Sequence, residues 1–146
     1  MAEAWGSVAQ GVGAAGPAAA LENMRILEDE ALLENCTEMG EYLMGKLDGL
    51  KAKHDIIGDV RGKGLFCGAE LVTDRETKEP VHESVIQAIV ADCVNTSGVI
   101  IGATSRSFDN FNNTLCLSPA LICTKSDLDE IVAAIDGAIT RTLAAR

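Results

Sequence analysis

Between Asp59 and Val72 the chain reads Asp-Val-Arg-Gly-Lys-Gly-Leu-Phe-Cys-Gly-Ala-Glu-Leu-Val, and no other stretch constrains the fold as tightly. Gly62 and Gly64 punctuate it, and beyond them Leu65, Cys67, Ala69 and Leu71 recur at every second position. A period of two places those side chains on one face of a strand. The segment therefore predicts two short strands, Ile56 to Val60 and Gly64 to Val72, folded back on each other through a glycine turn. Such a pair has one apolar face that other elements must cover.

The covering elements are legible on both sides. Pro17 suits the first turn of a helix, where its missing N–H costs nothing, and Leu21, Met24, Leu27 and Ala31 follow at helical spacing. A second helix is predicted from about Leu32, with Cys36, Met39, Leu43, Leu47 and Leu50 as its apolar stripe. Thr73 to Pro80 is polar and reads as a turn or loop. A third helix from about His82 to Thr96 carries Val85, Ile86, Ile89, Val90, Cys93 and Val94 on one face, and Gly98 ends it. Val99 to Ile101 and Thr114 to Leu117 read as further strands, with a polar loop from Gly102 to Asn113 between them. Thr124 and Asp127 have capping-box spacing and open a last helix, whose Leu128, Ile131, Val132, Ile135, Ile139 and Leu143 face the core. The fold class is α+β, with helices packed on one face of a small, mostly antiparallel sheet. Residues 1–16 are a Gly/Ala-rich flexible lead-in, and residues 17–146 form one domain.

Charge and cysteine usage narrow the function. A net charge of −10 disfavours nucleic-acid binding, which draws on clustered Lys and Arg, and repels anionic membranes. There is no basic region followed by an apolar run at the N-terminus and no stretch near the ~20 apolar residues that span a bilayer. A cytoplasmic protein is expected. The five cysteines, Cys36, Cys67, Cys93, Cys116 and Cys123, lie far apart without C-x-x-C spacing. They read as reduced core residues rather than disulfides or zinc ligands.

Four blocks carry a resemblance. They are Pro17 to Glu30, Val60-Arg61-Gly62-Lys63-Gly64-Leu65 through Val72, Gly98-Val99-Ile100-Ile101-Gly102, and Asn113 to Ile122 leading into the Asp127 to Ile131 helix. In this order they resemble the small C-terminal domain of class III aminotransferases, which use pyridoxal phosphate (PLP). The nearest likeness is to the ω-aminotransferases that pass amino groups between amines or ω-amino acids and pyruvate. The resemblance implies PLP in the parent enzyme, a large PLP-binding domain as partner, and a dimer as the active unit. It also implies that Arg106, in the polar loop, pairs with a substrate carboxylate. Arg suits that task because its planar fork binds a carboxylate bidentately while its long stem lets it swing aside.

The chemistry of PLP needs a lysine to form the aldimine and an acid at the ring nitrogen, and no such constellation is recognisable here. Lys63 sits in a Gly-Lys-Gly turn and reads as structural, since a Schiff-base lysine needs a desolvated pocket. The family's phosphate-binding Thr falls on Gly13, its Tyr on Ala14, and the His before Pro17 is lost. No catalytic residue, cofactor site or metal site is therefore assigned to this chain. Arg61 is expected to hold the strand turn through backbone carbonyls, and His54 and His82 to sit at element ends without a catalytic partner. The clusters Glu28 to Glu30 and Asp127 to Glu130 are expected to be solvated helix faces and N-terminal dipole partners. Two functions follow. One is the small domain of an ω-aminotransferase, inactive alone. The other is a non-enzymatic association module, natural or engineered, that retains the fold. Either is expected to self-associate through uncovered apolar surface.

Overall fold

The computed structural model describes residues 15–104 and 112–145. The chain divides into two compact units, Met1–Asn35 and Cys36–Arg146. The lead-in expected over residues 1–16 falls almost wholly outside the described residues.

In the first unit, helix α1 runs Ala15–Asp29. Its stripe is not a buried one, since Leu21 and Met24 are each 60% exposed. Ala31, expected within the same helix, instead adopts a left-handed backbone at φ 49° and separates α1 from helix α2, Leu32–Lys53. The helical repeat of Ala31 is thus a coincidence of spacing, because the chain has already turned.

The second unit holds the sheet. Strand β1 (Ile57–Lys63) pairs antiparallel with β2 (Phe66–Asp74), and Lys63 opposite Phe66 closes the hairpin around Gly64 and Leu65. Gly64 has φ 54°, a conformation that L side chains resist. The predicted alternation holds: Leu65, Cys67, Ala69 and Leu71 are all buried, while Phe66 is 73% exposed. Short strand β3 (Glu79–Pro80) returns to β2, so the expected polar loop ends in a ladder. Strands β4 (Gly102–Ala103) and β5 (Thr114–Leu117) complete the order β1-β2-β5-β4, with every pairing among the described residues antiparallel.

The strand expected at Val99 to Ile101 is displaced by a few residues. Pairing to β5 begins only at Gly102, and Ile100 points outward at 86% exposure. A β-branched run marks propensity, but the ladder forms where backbone meets a partner.

Helices cover one face of the sheet. Met39, Leu43, Leu47 and Leu50 of α2 are buried, as are Val85, Ile86, Ile89 and Cys93 of helix α3 (Glu83–Ser97). Helix α4 (Lys125–Ala144) buries Leu128, Ala134, Ile135, Ala138 and Ile139. These side chains join Cys67, Ala69, Leu71, Leu115 and Leu117 of the sheet in one core. Val94 and Leu143, expected in the core, lie at its rim and are exposed. Gly98 caps α3 in the left-handed conformation, and Thr124 with Asp127 forms a complete capping box on α4. Asp129, expected to be merely solvated, ties α4 to α2 by accepting from Tyr42 at 2.8 Å and pairing with Lys46 at 2.7 Å.

Candidate functional site

The face of the hairpin away from the helices carries charge. On it Asp59 stands opposite Glu70 and Arg61 opposite Gly68. The Arg61 guanidinium reaches both carboxylates, donating to Asp59 at 2.6 Å and to Glu70 at 2.7 Å. Arg61 holds the Asp59 carboxyl below the usual carboxylate range, and its own charged form is stabilised by Glu70 and Asp59. A cleft of about 360 Å3 opens here, lined by Asp59, Arg61, Glu70, Arg75 and Lys78.

Asn113 links this charged row to β5. Its side-chain amide donates to the Leu71 carbonyl at 2.8 Å, and its own carbonyl accepts from the Leu71 N–H at 2.8 Å. The same amide approaches Glu70 at 3.5 Å. Thr104 and Thr114 are tied to each other as well, by the Thr104 N–H to the Thr114 carbonyl at 2.9 Å and the Thr114 N–H to the Thr104 hydroxyl at 3.3 Å. These bonds fix the positions at which the chain leaves β4 and rejoins β5. Arg106, the one residue expected to touch substrate, lies between them and outside the described residues. Gly13 and Ala14 lie outside them too.

Arg61 does not hold the turn through backbone carbonyls as expected. It faces two carboxylates, and ion pairing outcompetes a neutral carbonyl for the guanidinium. The carbonyl role belongs to Arg75, which donates to Ile57 at 3.1 Å, Lys51 at 2.5 Å and His54 at 2.9 Å. It thereby satisfies the end of α2, whose last carbonyls lack helical partners. Nothing in the polar run from Thr73 to Pro80 singled out Arg75, because its acceptors are distant in sequence.

The histidines do structural work. His54 is buried with Nε2 at 2.5 Å from Asp136, whose other oxygen takes Lys53 at 2.6 Å. His82 caps α3, accepting at Nδ1 from the Ser84 N–H at 3.2 Å. Lys63 is exposed at the end of β1. The five cysteines are free thiols, with Cys67, Cys93 and Cys123 buried and Cys36 and Cys116 half-buried. Among the described residues no group of three or more His, Cys, Asp or Glu is placed to hold a metal ion. No described helix is long and apolar enough to cross a membrane.

The fold recurs in solved structures. The Aminotransferase class-III family profile matches residues 14–139. The chain belongs to the class-III aminotransferase family. It is 62% identical over 129 residues to a hypotaurine/taurine–pyruvate aminotransferase of Paracoccus denitrificans, covering 88% of this chain and 28% of that protein. Against a taurine–pyruvate aminotransferase of Bilophila wadsworthia the identity is 63% over 125 residues, covering 86% of this chain and 27% of the relative. A solved Bacillus anthracis aminotransferase superimposes with a TM-score of 0.80 at 37% identity, covering 84% of this chain and 27% of that one. The chain thus spans a little over a quarter of the length of the relatives it matches.

Class-III membership implies PLP in the parent enzyme. The residues of this chain do not fit a covalently held PLP. All its lysines, Lys46, Lys51, Lys53, Lys63, Lys78 and Lys125, are at least partly exposed. An aldimine lysine is desolvated, so that it can shed its proton.

Proposed function

We propose that residues 17–146 are the C-terminal small domain of a cytoplasmic, PLP-dependent ω-aminotransferase that uses pyruvate as amino acceptor. Its amine donor is a short ω-amino acid of the taurine type, carrying an anionic head group two carbons from the amine. The observation that carries this reading is the 62–63% identity to enzymes named for taurine and pyruvate, sustained over 86–88% of the chain. A large domain supplies the lysine, the acid at the ring nitrogen and the phosphate contacts. This chain supplies Arg106, whose guanidinium pairs with the sulfonate of the donor or the carboxylate of the acceptor. Alone it neither forms an aldimine nor transaminates.

Complementation tests the reading. The chain is combined with the N-terminal part of the Paracoccus denitrificans relative that the match leaves uncovered, and taurine-dependent conversion of pyruvate to alanine is assayed. The relative's own C-terminal part, split at the same point, is the positive control. Activity with both supports the proposal; activity with the control alone favours the association module.

Among the described residues Phe66, Ile100 and Ile122 are large apolar side chains left exposed. Self-association, most simply as a two-fold dimer, follows. A monomer by sedimentation equilibrium at high micromolar concentration would remove this part.

A further inference from the structure

The sheet ends at β1. In the order β1-β2-β5-β4 this strand pairs with β2 on one side only, and its other edge is half-buried at Val60 and exposed from Arg61 onward. The register fixes which backbone groups that edge presents. Lys63 and Phe66 close the two-residue turn as a bonded pair. Lys63, Arg61 and Asp59 therefore turn their N–H and C=O toward β2, while Gly62 and Val60 turn theirs away. Strand β2 agrees with this alternation. Its Leu71 N–H donates to Asn113 on the β5 side, so Cys67 and Ala69, the residues opposite Gly62 and Val60, face β5 as well. The Val60 N–H has the Asp59 carboxylate of its own strand beside it.

We propose that β1 is the seam of a two-fold dimer, joining the sheets of two copies of this chain edge to edge. This dimer rests on the self-association proposed above and gives it a definite face. The charges on the edge complement themselves. With a second copy laid antiparallel about Val60, Val60 faces Val60, each Asp59 faces the copy's Arg61, and Gly58 faces Gly62 with no side chains to clash. An edge carrying charge of one sign would repel its own copy. Each Val60 N–H leaves Asp59 and donates to the Val60 carbonyl across the axis. Asp59 and Arg61 fall at the flanking non-bonded positions, where side chains of opposing strands come closest. Arg61 keeps Glu70 of its own hairpin and exchanges its own Asp59 for the copy's. Trading one ion pair for another adds little affinity but fixes the register. The irregularity between Ile57 and Asp59 shortens the seam, and a net charge of −10 on each copy opposes it, so the dimer is a weak one.

Sedimentation equilibrium and amide hydrogen exchange of the full chain, each over a range of concentration, test the seam. The Val60 amide should gain protection as concentration rises, while the Asp59 and Arg61 amides, bonded within the hairpin, should not change. Val60→Pro removes an N–H that faces away from β2, so it should spare the hairpin and weaken the dimer about tenfold or more. Asp59→Arg sets like charges across the seam and should weaken it about threefold or more. Adding Arg61→Asp to Asp59→Arg restores opposite charges and should restore the dimer. A dimer as tight in Val60→Pro, a double variant no tighter than Asp59→Arg alone, or Val60 protection that ignores concentration overturns this seam and leaves self-association through another face. A chain that stays monomeric overturns both. If Val60→Pro does not fold, the charge variants and the exchange of the unaltered chain still decide.

Discussion

Gly40 on α2 lies backbone to backbone against Gly64 in the hairpin turn: a methyl group at position 40 would come within 2.5 Å of the Gly64 Cα, carbonyl carbon and oxygen. The obstruction is main chain, so no side-chain rotation can relieve it. Gly64 is itself held at φ 54°, leaving the turn little freedom to retreat. A helix is thus seated on a turn by two residues that have no side chains, which is why the glycines of the Arg-Gly-Lys-Gly run are structural.

Gly40→Ala should therefore destabilise the chain by about 1–3 kcal/mol, the usual cost of overpacking. In the same helix, Gly45 and Gly49 have nothing within 4 Å of a built Cβ. Gly45→Ala and Gly49→Ala should be neutral or stabilising by up to about 1 kcal/mol, through helix propensity. Urea midpoints of the three variants make the comparison, and a Gly40→Ala as stable as Gly45→Ala would remove the seam.

The Arg61 pairing makes a pH-dependent contribution. The Asp59 carboxyl is lowered chiefly by Arg61, so its stabilisation is present above the unfolded carboxylate value of about 4 and is lost as pH falls through the folded value. Removing Arg61 also leaves Asp59 and Glu70 facing each other as like charges. Arg61→Ala should cost up to about 1 kcal/mol near neutrality, these side chains being partly exposed. That cost should shrink as pH falls from neutrality through the lowered folded value of Asp59. Urea melts across this range check it, and a pH-independent cost would mean that Arg61 acts through packing.

Arg75 should matter more than its place in a polar turn suggests. It donates to three carbonyls around the end of α2. Arg75→Ala should cost about 1–3 kcal/mol, the penalty for unsatisfied polar groups in a partly buried site. Arg75→Lys should recover little, since an ammonium cannot span three acceptors as a planar fork does. Hydrogen exchange gives the local readout: the His54 and Ile57 amides, bonded to Leu50 and His54, should exchange faster in both variants.

What the sequence disclosed divides along physical lines. The period-two run from Leu65 to Leu71, the α2 stripe, the α3 stripe apart from Val94, and the Thr124–Asp127 box are local, and these match the structure. The strand expected at Val99 to Ile101 forms at Gly102–Ala103 instead, because pairing depends on where β5 offers its backbone. Local sequence points Arg61 to backbone carbonyls because its acceptor Glu70 becomes a neighbour only through the hairpin register. Arg75 and Asn113 were missed for the same reason, since each joins residues far apart in the chain. The candidate site was legible only through family likeness, because Arg106 has no local pattern that marks it.

Arg106 carries the functional prediction. In the complemented enzyme, the donor half-reaction should be compared for taurine and for a simple uncharged amine, so that the anionic acceptor does not intrude. Loss of a bidentate charge pair with the sulfonate should slow taurine by roughly tenfold to several hundredfold in Arg106→Ala. Arg106→Lys should restore part of the rate, as a point charge without the fork. The uncharged amine makes no such pair, so its half-reaction should be unaffected by either substitution. The sulfonate stays ionised at all accessible pH, so the taurine penalty should not vary with pH as a titrating partner's would. Equal losses for both donors would show that Arg106 supports the loop rather than the substrate.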